Sequence, residues 1–271
     1  MNRKERQFVD TVWQFWRKEG RHDLPWRQTT DPYRILVSEV MLQQTQVERV
    51  IPKYRVFMKR WGSARALARA PLAEVIKAWQ GLGYNSRAKR LRECAEVVVS
   101  EYQGHFPADY GALKALPGIG PYTAGAVMAF AFNKPAPIIE TNIRSVYLHH
   151  FFADATDVPD EAIMALVTRT LATENPREWY WALMDYGVYI KKTFGNPNSR
   201  SKNFAKQSRF VGSDRQIRGA IVRMLTEVMC TRKVLHKRLS QFDMVRIDVQ
   251  LEKLLAEGMI EKRGQRFALP T

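Results

Sequence analysis

Hydrophobic positions along the 271-residue chain recur mainly at helical spacing. Phe8, Val12, Phe15 and Trp16 follow one another at i, i+4, i+7 and i+8, which places them on one face of a helix over residues 5–19. Similar patterns predict helices at residues 34–44, 47–59, 63–68, 72–79, 86–102, 110–115, 122–132, 143–151, 160–173 and 176–193. The glycines and prolines of "QGLGYN" and "LPGIGP" interrupt these runs. The fold class expected is therefore all-α.

The last part of the chain has a different pattern. Three short helices are predicted at residues 215–228, 232–239 and 244–257. In the segment "MIEKRGQRFAL", apolar and polar residues then alternate on both sides of Arg263 and Gly264, which predicts a hairpin. Three helices followed by a hairpin are typical of a small winged-helix-like module at residues 214–271. Such modules bind DNA, RNA or protein.

The charge balance narrows the class of partner. Lys and Arg total 43 against 27 Asp and Glu, giving a net charge of +16 and a pI near 10.0. This excess indicates a polyanion, first of all nucleic acid, with a membrane surface as the alternative. We find no long uncharged apolar run, lipidation motif or signal peptide, and so expect an intracellular protein that does not enter membranes.

Cysteines and histidines give no sign of a metal centre. The chain has two cysteines, Cys94 and Cys230, which are far apart, so neither a disulfide framework nor a thiolate site is expected. The five histidines have no ligand spacing, and the neighbours His149 and His150 would point in different directions on a helix. We therefore predict no metal bound by protein side chains.

Two glutamates stand in apolar surroundings. Glu39 lies within "ILVSEVMLQQT", and Glu140 follows Ile138 and Ile139 in "PAPIIETN". Burying an unpaired carboxylate costs several kcal/mol, or the group keeps its proton. Each glutamate must therefore have a neutralising partner or serve chemistry.

The segment "LPGIGPYTAGAV" places two glycines directly before a helix. Gly118 and Gly120 allow a tight turn whose backbone N–H groups lie near the positive end of the helix dipole. Such a turn grips a phosphate oxygen without reading sequence. The alternative is an ordinary turn between two helices.

Together with "LPWR", "WQGLGYNSRAKRL" and "IIETNIRSV", these motifs closely resemble the MutY-type adenine DNA glycosylases of the helix-hairpin-helix superfamily, which also includes endonuclease III. The resemblance extends from about residue 24 to residue 192. It implies a two-lobed helix-hairpin-helix glycosylase fold. One lobe would comprise residues 1–30 plus 134–213 and the other residues 31–133, followed by the 214–271 module.

The resemblance assigns the chemistry to three residues. Glu39 matches the glutamate that protonates the departing purine and handles the water; the alternative is a surface ion pair with Arg34 or Arg49. Glu140 stands where the family has an aspartate that steadies the sugar cation, with helix capping as the alternative role. Tyr122 replaces the lysine that forms a Schiff base in endonuclease III-type enzymes, which implies a monofunctional enzyme. Its alternative is a core aromatic.

The resemblance also assigns contacts with DNA. Gln43, Gln44 and Thr45 would contact the opposite base and wedge the duplex, unless they form a solvated helix end. Asn142, beside Glu140, is likewise expected at the DNA.

A second segment, "GLGYNSR", would act from the other side of the duplex. Leu82 and Tyr84 are expected to insert there, although Leu82 would also suit a core. Arg87, Lys89 and Arg90 are placed for phosphates.

Basic residues accumulate after the predicted 176–193 helix. Residues 186–213 contain no acidic residue and the following basic ones: Lys191, Lys192, Arg200, Lys202, Lys206 and Arg209. Lys202 and Lys206 are expected to bind phosphates. Phe194, Phe204 and Phe210 are expected to anchor this segment.

The sequence departs from the family in two places. Many relatives hold an iron–sulfur cluster with four cysteines here, whereas "TFGNPNSRSKNFAKQSRFVGS" has none, so we expect no such cluster and no cofactor. Many relatives also have a Nudix-like domain where this chain has the winged-helix pattern, which leaves the opposite base open.

These features predict a base excision repair enzyme that removes adenine opposite 8-oxoguanine or guanine. The alternatives are a glycosylase for thymine or uracil opposite guanine, and a noncatalytic DNA-binding protein. The expected partner is double-stranded DNA with a mismatch or lesion, bound by a monomer in the cytoplasm, at the nucleoid if the source is prokaryotic.

Overall fold

The computed structural model describes residues 1–205 and 209–270. Its helices are α1 (Arg3–Glu19), α2 (Pro32–Leu42), α3 (Val47–Arg60), α4 (Ala64–Ala68), α5 (Leu72–Ala78), α6 (Ser86–Glu101), α7 (Tyr110–Ala115), α8 (Pro121–Phe130), α9 (Thr141–Phe151), α10 (Asp160–Thr170), α11 (Pro176–Phe194), α12 (Asp214–Glu227), α13 (Arg232–Arg238) and α14 (Met244–Ala256). The described residues also form three short strands, β1 (Cys230–Thr231), β2 (Glu261–Arg263) and β3 (Arg266–Ala268). The predicted helical fold is confirmed.

The chain divides into two compact units. Unit 1 comprises Met1–Glu39, Phe106–Ala115 and the described part of Ile119–Lys206, and unit 2 comprises Val40–His105, Leu116–Gly118 and the described part of Gln207–Thr271. These bounds differ from the expected lobes. The α8 segment groups with the N-terminal segment of the chain in unit 1. The C-terminal module shares unit 2 with α3–α6, because it has an apolar core in common with α5.

Unit 1 is organised around α8, which is apolar on every side. Its residues from Thr123 to Phe130 are all buried, as expected of a helix without a polar face. Gly125 allows close packing, because a Cβ atom there would overlap the side chain of Ile138. Tyr180 fixes the same segment, since its hydroxyl donates to the Ala136 carbonyl (2.8 Å) and accepts from the Ile138 N–H (3.1 Å). The extended chain before α9 therefore has a defined path to Glu140.

The packing of α11 against α9 completes this part of unit 1. Gly187 faces the first turn of α9, where a Cβ atom would overlap the backbone of Asn142. On the other side of unit 1, α1 contributes Phe8 to an aromatic cluster with Tyr147 and Trp179, at ring distances of 5.1 and 6.1 Å. The Gly187 contact holds the start of α9 in place, and the Phe8 cluster holds its second half.

Unit 2 contains the winged-helix-like module. The strands form an antiparallel sheet in the order β1-β3-β2, with Lys262 opposite Phe267 and Cys230 opposite Phe267. The hairpin around Gly264 is therefore confirmed, and the short strand β1 is an addition that the sequence pattern did not predict. Leu72 and Ile76 of α5 belong to the same buried cluster as the core of the module.

Candidate active site

Glu39 lies in α2 with its carboxylate directed into unit 1. Glu39 is 7% exposed, and the neighbouring Leu36 and Val37 are fully buried. The alternative partner Arg34 pairs instead with Asp31, at 3.6 Å. Oε2 of Glu39 accepts a 3.0 Å hydrogen bond from the hydroxyl of Tyr122. The α2 helix thus presents this carboxylate to α8.

The surroundings of Glu39 favour its protonated form. The pKa of Glu39 is raised to about 7, because burial and the negative charge of Glu140 raise it by more than the Tyr122 hydrogen bond and the Arg27 charge lower it. A carboxyl group with such a pKa holds a proton for much of the time near neutral pH. It can therefore act as a general acid.

Glu140 caps the N-terminus of α9. Its Oε1 accepts the backbone N–H groups of Asn142 (2.7 Å) and Ile143 (2.8 Å), and its Oε2 accepts from Nδ2 of Asn142 (3.1 Å). Burial raises the pKa of Glu140, while these hydrogen bonds and the charges of Lys191 and Arg144 act against the rise. The capping role is thus present, and it also holds the carboxylate in the electrostatic field of Glu39.

Tyr122 lies in the first turn of α8 and is partly buried. Its pKa is raised well above the usual value, first by burial and then by the charges of Glu39 and Glu140. The phenol therefore stays protonated and remains a hydrogen-bond donor to Glu39. A phenol offers no amine for a Schiff base.

A buried ion-pair network beside Glu39 was not predicted from the sequence. Nη1 and Nη2 of Arg27 donate to Oδ2 (2.7 Å) and Oδ1 (3.0 Å) of Asp185, and Arg21 also binds this aspartate. The Arg27 guanidinium also packs over the rings of Trp16 and Trp181. The "LPWR" motif contained the arginine, but its partner lies far along the chain.

Asn142 is held by Glu140, and its Oδ1 is buried without a hydrogen-bond partner among the described residues.

The two glycines of the hairpin, Gly118 and Gly120, differ from each other in conformation. Gly118 has φ +73°, and a Cβ atom would lie 2.8 Å from Cβ of Arg90, so glycine is required there. Gly120 has φ −88° with open space around it. Its role in giving backbone N–H groups access to a phosphate stays a prediction.

The two predicted wedge segments lie together in unit 2. Gln44 and Tyr84 are exposed, and both adopt left-handed backbone conformations, with φ +54° and +46°. Non-glycine residues rarely adopt such angles, and they concentrate at functional sites. Leu82 differs from the expectation: its side chain is 4% exposed and belongs to the core, so it is not available for insertion.

Arg87 also differs from the expectation that it contacts phosphate. Its Nη1 donates to the carbonyls of Val40, Met41 and Gln43, and its Nη2 to those of Leu82 and Gly83 and to Oγ1 of Thr45, over 2.5–3.3 Å. Burial lowers its pKa to about 10. The guanidinium is therefore directed at the protein's own backbone, where it joins the 43–45 and 82–84 segments. We call this set of Arg87 hydrogen bonds the Arg87 clamp, and Gln43 and Thr45 contribute acceptors to it.

The basic segment after α11 is anchored by a polar residue. Nδ2 of Asn198 donates to the Thr141 carbonyl (3.2 Å), to Oγ of Ser145 (2.7 Å) and to Oδ1 of Asn196 (2.9 Å). Asn198 is buried within a 3-10 turn (Pro197–Arg200). The three phenylalanines that were expected to anchor the segment, Phe194, Phe204 and Phe210, are all exposed. Phe194 nevertheless contacts the ring of His149, at 4.9 Å.

Lys202 follows this anchor. Its side chain is exposed, and its backbone N–H donates to the Val158 carbonyl at 3.0 Å. Lys206 lies outside the described residues. The described residues contain no group of three or more His, Cys, Asp or Glu side chains placed to hold a metal ion. Within the same residues, no helix has both the length and the apolar content to cross a membrane.

Comparison with known proteins links this site to DNA repair. Residues 37–170 match the HhH-GPD superfamily base excision DNA repair proteins. The chain is 38% identical to an adenine DNA glycosylase of Mycolicibacterium smegmatis, with 94% of this chain and 93% of that protein aligned. It is 33% identical to a thymine/uracil-DNA glycosylase of Methanothermobacter thermautotrophicus, over 70% of this chain and 86% of that protein.

A solved structure supports the fold assignment. The structure of a thermostable thymine-DNA glycosylase superposes with a TM-score of 0.63 and 32% sequence identity, covering 69% of this chain and 87% of that one.

Proposed function

Because the chain belongs to the HhH-GPD superfamily of base excision DNA repair proteins, we propose that this DNA glycosylase removes adenine mispaired with guanine or 8-oxoguanine. The adenine DNA glycosylase of M. smegmatis aligns over nearly the whole of both chains, which favours adenine over other bases. The single observation that carries the proposed chemistry is the buried Glu39, whose pKa is raised to about 7 in the field of a second carboxylate.

Glu39 supplies the acid. Hydrolysis breaks the bond between C1′ of the sugar and the base nitrogen, and the electron pair of that bond leaves with the base. Protonated Glu39 transfers its proton to the departing purine and can then accept a proton from the attacking water. The hydrogen bond from Tyr122 stabilises the carboxylate that results.

Glu140 stabilises the cation. The transition state resembles an oxocarbenium ion, and a fixed carboxylate lowers its energy more than that of the neutral substrate. The backbone N–H groups of Asn142 and Ile143 hold the Glu140 carboxylate in one orientation. We propose that this capping geometry lets a glutamate serve where the family has an aspartate.

The products are a free base and an abasic site. Tyr122 has no amine with which to attack the sugar, so no Schiff base forms at this position and the strand cleavage that follows from a Schiff base does not occur. We also propose that the enzyme works without an iron–sulfur cluster. The segment after α11 has no cysteine, and Cys94 and Cys230 are both buried in unit 2. The remaining proposals are that a monomer binds double-stranded DNA and that it acts in the cytoplasm.

A panel of duplexes tests the substrate. Each contains A opposite 8-oxoguanine, A opposite G, T opposite G, U opposite G, or hypoxanthine, and alkali converts abasic sites to strand breaks. We expect cleavage of the two adenine duplexes, and none without alkali. Cleavage at thymine or uracil alone would favour the second candidate, which the M. thermautotrophicus relative supports. No cleavage with retained binding would indicate a noncatalytic DNA-binding protein.

A further inference from the structure

A groove of about 1160 Å³ lies in unit 2 between the 80–93 segment and α12 of the C-terminal module. Seven Lys and Arg residues and two Glu residues line it. Both glutamates are already paired, Glu93 with Lys89 and Glu257 with Arg218, each at 2.5 Å. The lining residues of the groove therefore carry a net formal charge of +5.

The cations that account for this excess come from separate parts of unit 2. They are Arg49, Lys53, Arg90, Arg215 and Arg223. Arg215 donates to the hydroxyl of Tyr84 at 2.9 Å, which joins α12 to the 80–93 segment. Within residues 1–205 and 209–270, Arg49, Arg90 and Arg223 are exposed and form no ion pair. Cations gathered in one groove repel one another unless an anion binds among them.

The surface of α12 offers a second indication. Gly219 lies in the middle of this helix and lines the groove, and nothing in the described protein lies within 4 Å of where its Cβ atom would be. A glycine inside a helix is unfavourable relative to alanine, and here no packing requires it. A bare stretch of helix between arginines allows the close approach of a ligand backbone.

The helix that reads DNA in many winged-helix proteins does not offer this surface here. Exposed positions of α14 include the apolar Met244, Val245 and Val249. Its acidic residues Asp248 and Glu252 pair with Arg232, at 3.5 and 2.6 Å. The exposed face of α14 is therefore less suited to phosphate than the groove side of α12.

We propose that this groove binds the sugar-phosphate backbone of duplex DNA, so that α12 makes the C-terminal module part of the DNA-binding surface. The inference rests on the proposed function for the identity of the polyanion. Gln44 and Tyr84 also line the groove, so the phosphates bound here belong to the DNA that these two residues approach. Phosphate contacts of this kind add affinity that is independent of sequence.

A pair of double variants of the full chain tests the groove. Arg49→Gln with Arg223→Gln removes two of its cations, and the matched control Arg238→Gln with Arg266→Gln removes two exposed arginines elsewhere in the module. The dissociation constant for one undamaged duplex is measured from 50 to 300 mM salt. We expect the groove variant to bind more weakly and its log–log salt slope to fall in magnitude by roughly 2, at about 0.9 per phosphate contact. The control should match the wild type.

An unchanged slope in the groove variant, or an equal loss in the control, would overturn the proposal. Gly219→Leu adds an independent measurement because it fills the groove without changing charge and suits a helix better than glycine. A folded Gly219→Leu variant that binds DNA like the wild type would also overturn it. Excision by the wild-type chain is assayed separately, so that a chain without excision but with a groove-dependent slope refutes only the proposed function.

Discussion

The hydroxyl of Tyr122 donates a hydrogen bond to Oε2 of Glu39, at 3.0 Å, within a site where burial drives the same carboxyl group toward protonation. The two effects oppose each other. Burial and the charge of Glu140 raise the pKa of Glu39, and the hydrogen bond, together with the charge of Arg27, limits that rise to a value of about 7. Tyr122 thus sets how much of the enzyme holds the reactive proton at a given pH.

Replacing Tyr122 by phenylalanine should move the pH dependence of excision. Without the hydrogen bond, the pKa of Glu39 rises above 7, because the ionised form loses a donor worth about 1.5–3 kcal/mol. The basic limb of the single-turnover pH profile should move upward by about one pH unit. Tyr102→Phe, in unit 2, is the control. A limb that stays in place or moves downward would show that Glu39 is not the titrating acid.

Replacing Glu39 by glutamine should stabilise the protein at alkaline pH. The folded-state pKa lies above the usual 4.5, so the native chain keeps a proton that the unfolded chain releases, and the contribution of Glu39 to stability declines from about pH 4.5 to 7. The stability of the variant minus that of the wild type, as free energies of unfolding, should be larger at pH 8 than at pH 5 by roughly 2 kcal/mol. Urea titrations measure this difference. The exposed Glu101→Gln should show no such trend.

Two substitutions separate the effect of the negative charge of Glu140 from its role as the N-cap of α9. Glu140→Gln keeps an oxygen that can accept the N–H groups of Asn142 and Ile143, so stability should change little. Its excision rate should fall by about 10²–10³, the usual effect of removing one group that stabilises transition-state charge. Glu140→Ala should in addition lose about 1 kcal/mol of stability with the cap. Wild-type rates in the glutamine variant would leave Glu140 with a capping role alone.

Arg87 should be needed for the order of both wedge segments. Arg87→Lys cannot replace a guanidinium that bonds five carbonyls and a hydroxyl, and several buried carbonyl groups would lose their donor. We expect a loss of about 2–4 kcal/mol in stability and faster amide exchange at residues 43–45 and 82–84. Arg90→Lys, on the exposed side of the same helix, is the control. Exchange that stays slow in Arg87→Lys would contradict the clamp.

Asn198 should control the order of the basic segment. Asn198→Ala removes three hydrogen bonds to buried or partly buried acceptors, at a cost of about 1–3 kcal/mol. Trypsin should then cut faster after Arg200 and Lys202, while global unfolding shifts less. Ser199→Ala, which loses one exposed hydrogen bond in the same turn, should resist like the wild type. Equal cleavage rates in both variants would refute the anchoring role.

Local patterns predicted the helices well because helical periodicity depends on neighbours in the sequence. The 215–228 and 244–257 predictions lie within two residues of α12 and α14, and the hairpin around Gly264 formed as expected. The prediction for α2 extended to Gln44, whereas the helix ends at Leu42, because Gln44 takes a left-handed conformation.

The long-range contacts could not be predicted in this way. Arg27 and Asp185 pair across 158 positions, and nothing in either local sequence identifies the other. The same reason explains Arg87: a cation after "GLGYN" looks suited to phosphate until the fold brings the 40–43 carbonyls to it. Glu39 and Glu140 could be singled out because a carboxylate in an apolar run is costly wherever its partner lies.

The shared core of α5 and the C-terminal module has a consequence for engineering. Leu72 and Ile76 pack in one buried cluster with Ile217 and Ile221, so the module is not a detachable attachment. A chimera that exchanged residues 214–270 for another domain would expose the apolar side chains of α5 to water. A working graft would therefore need α5 and the new domain to be redesigned together.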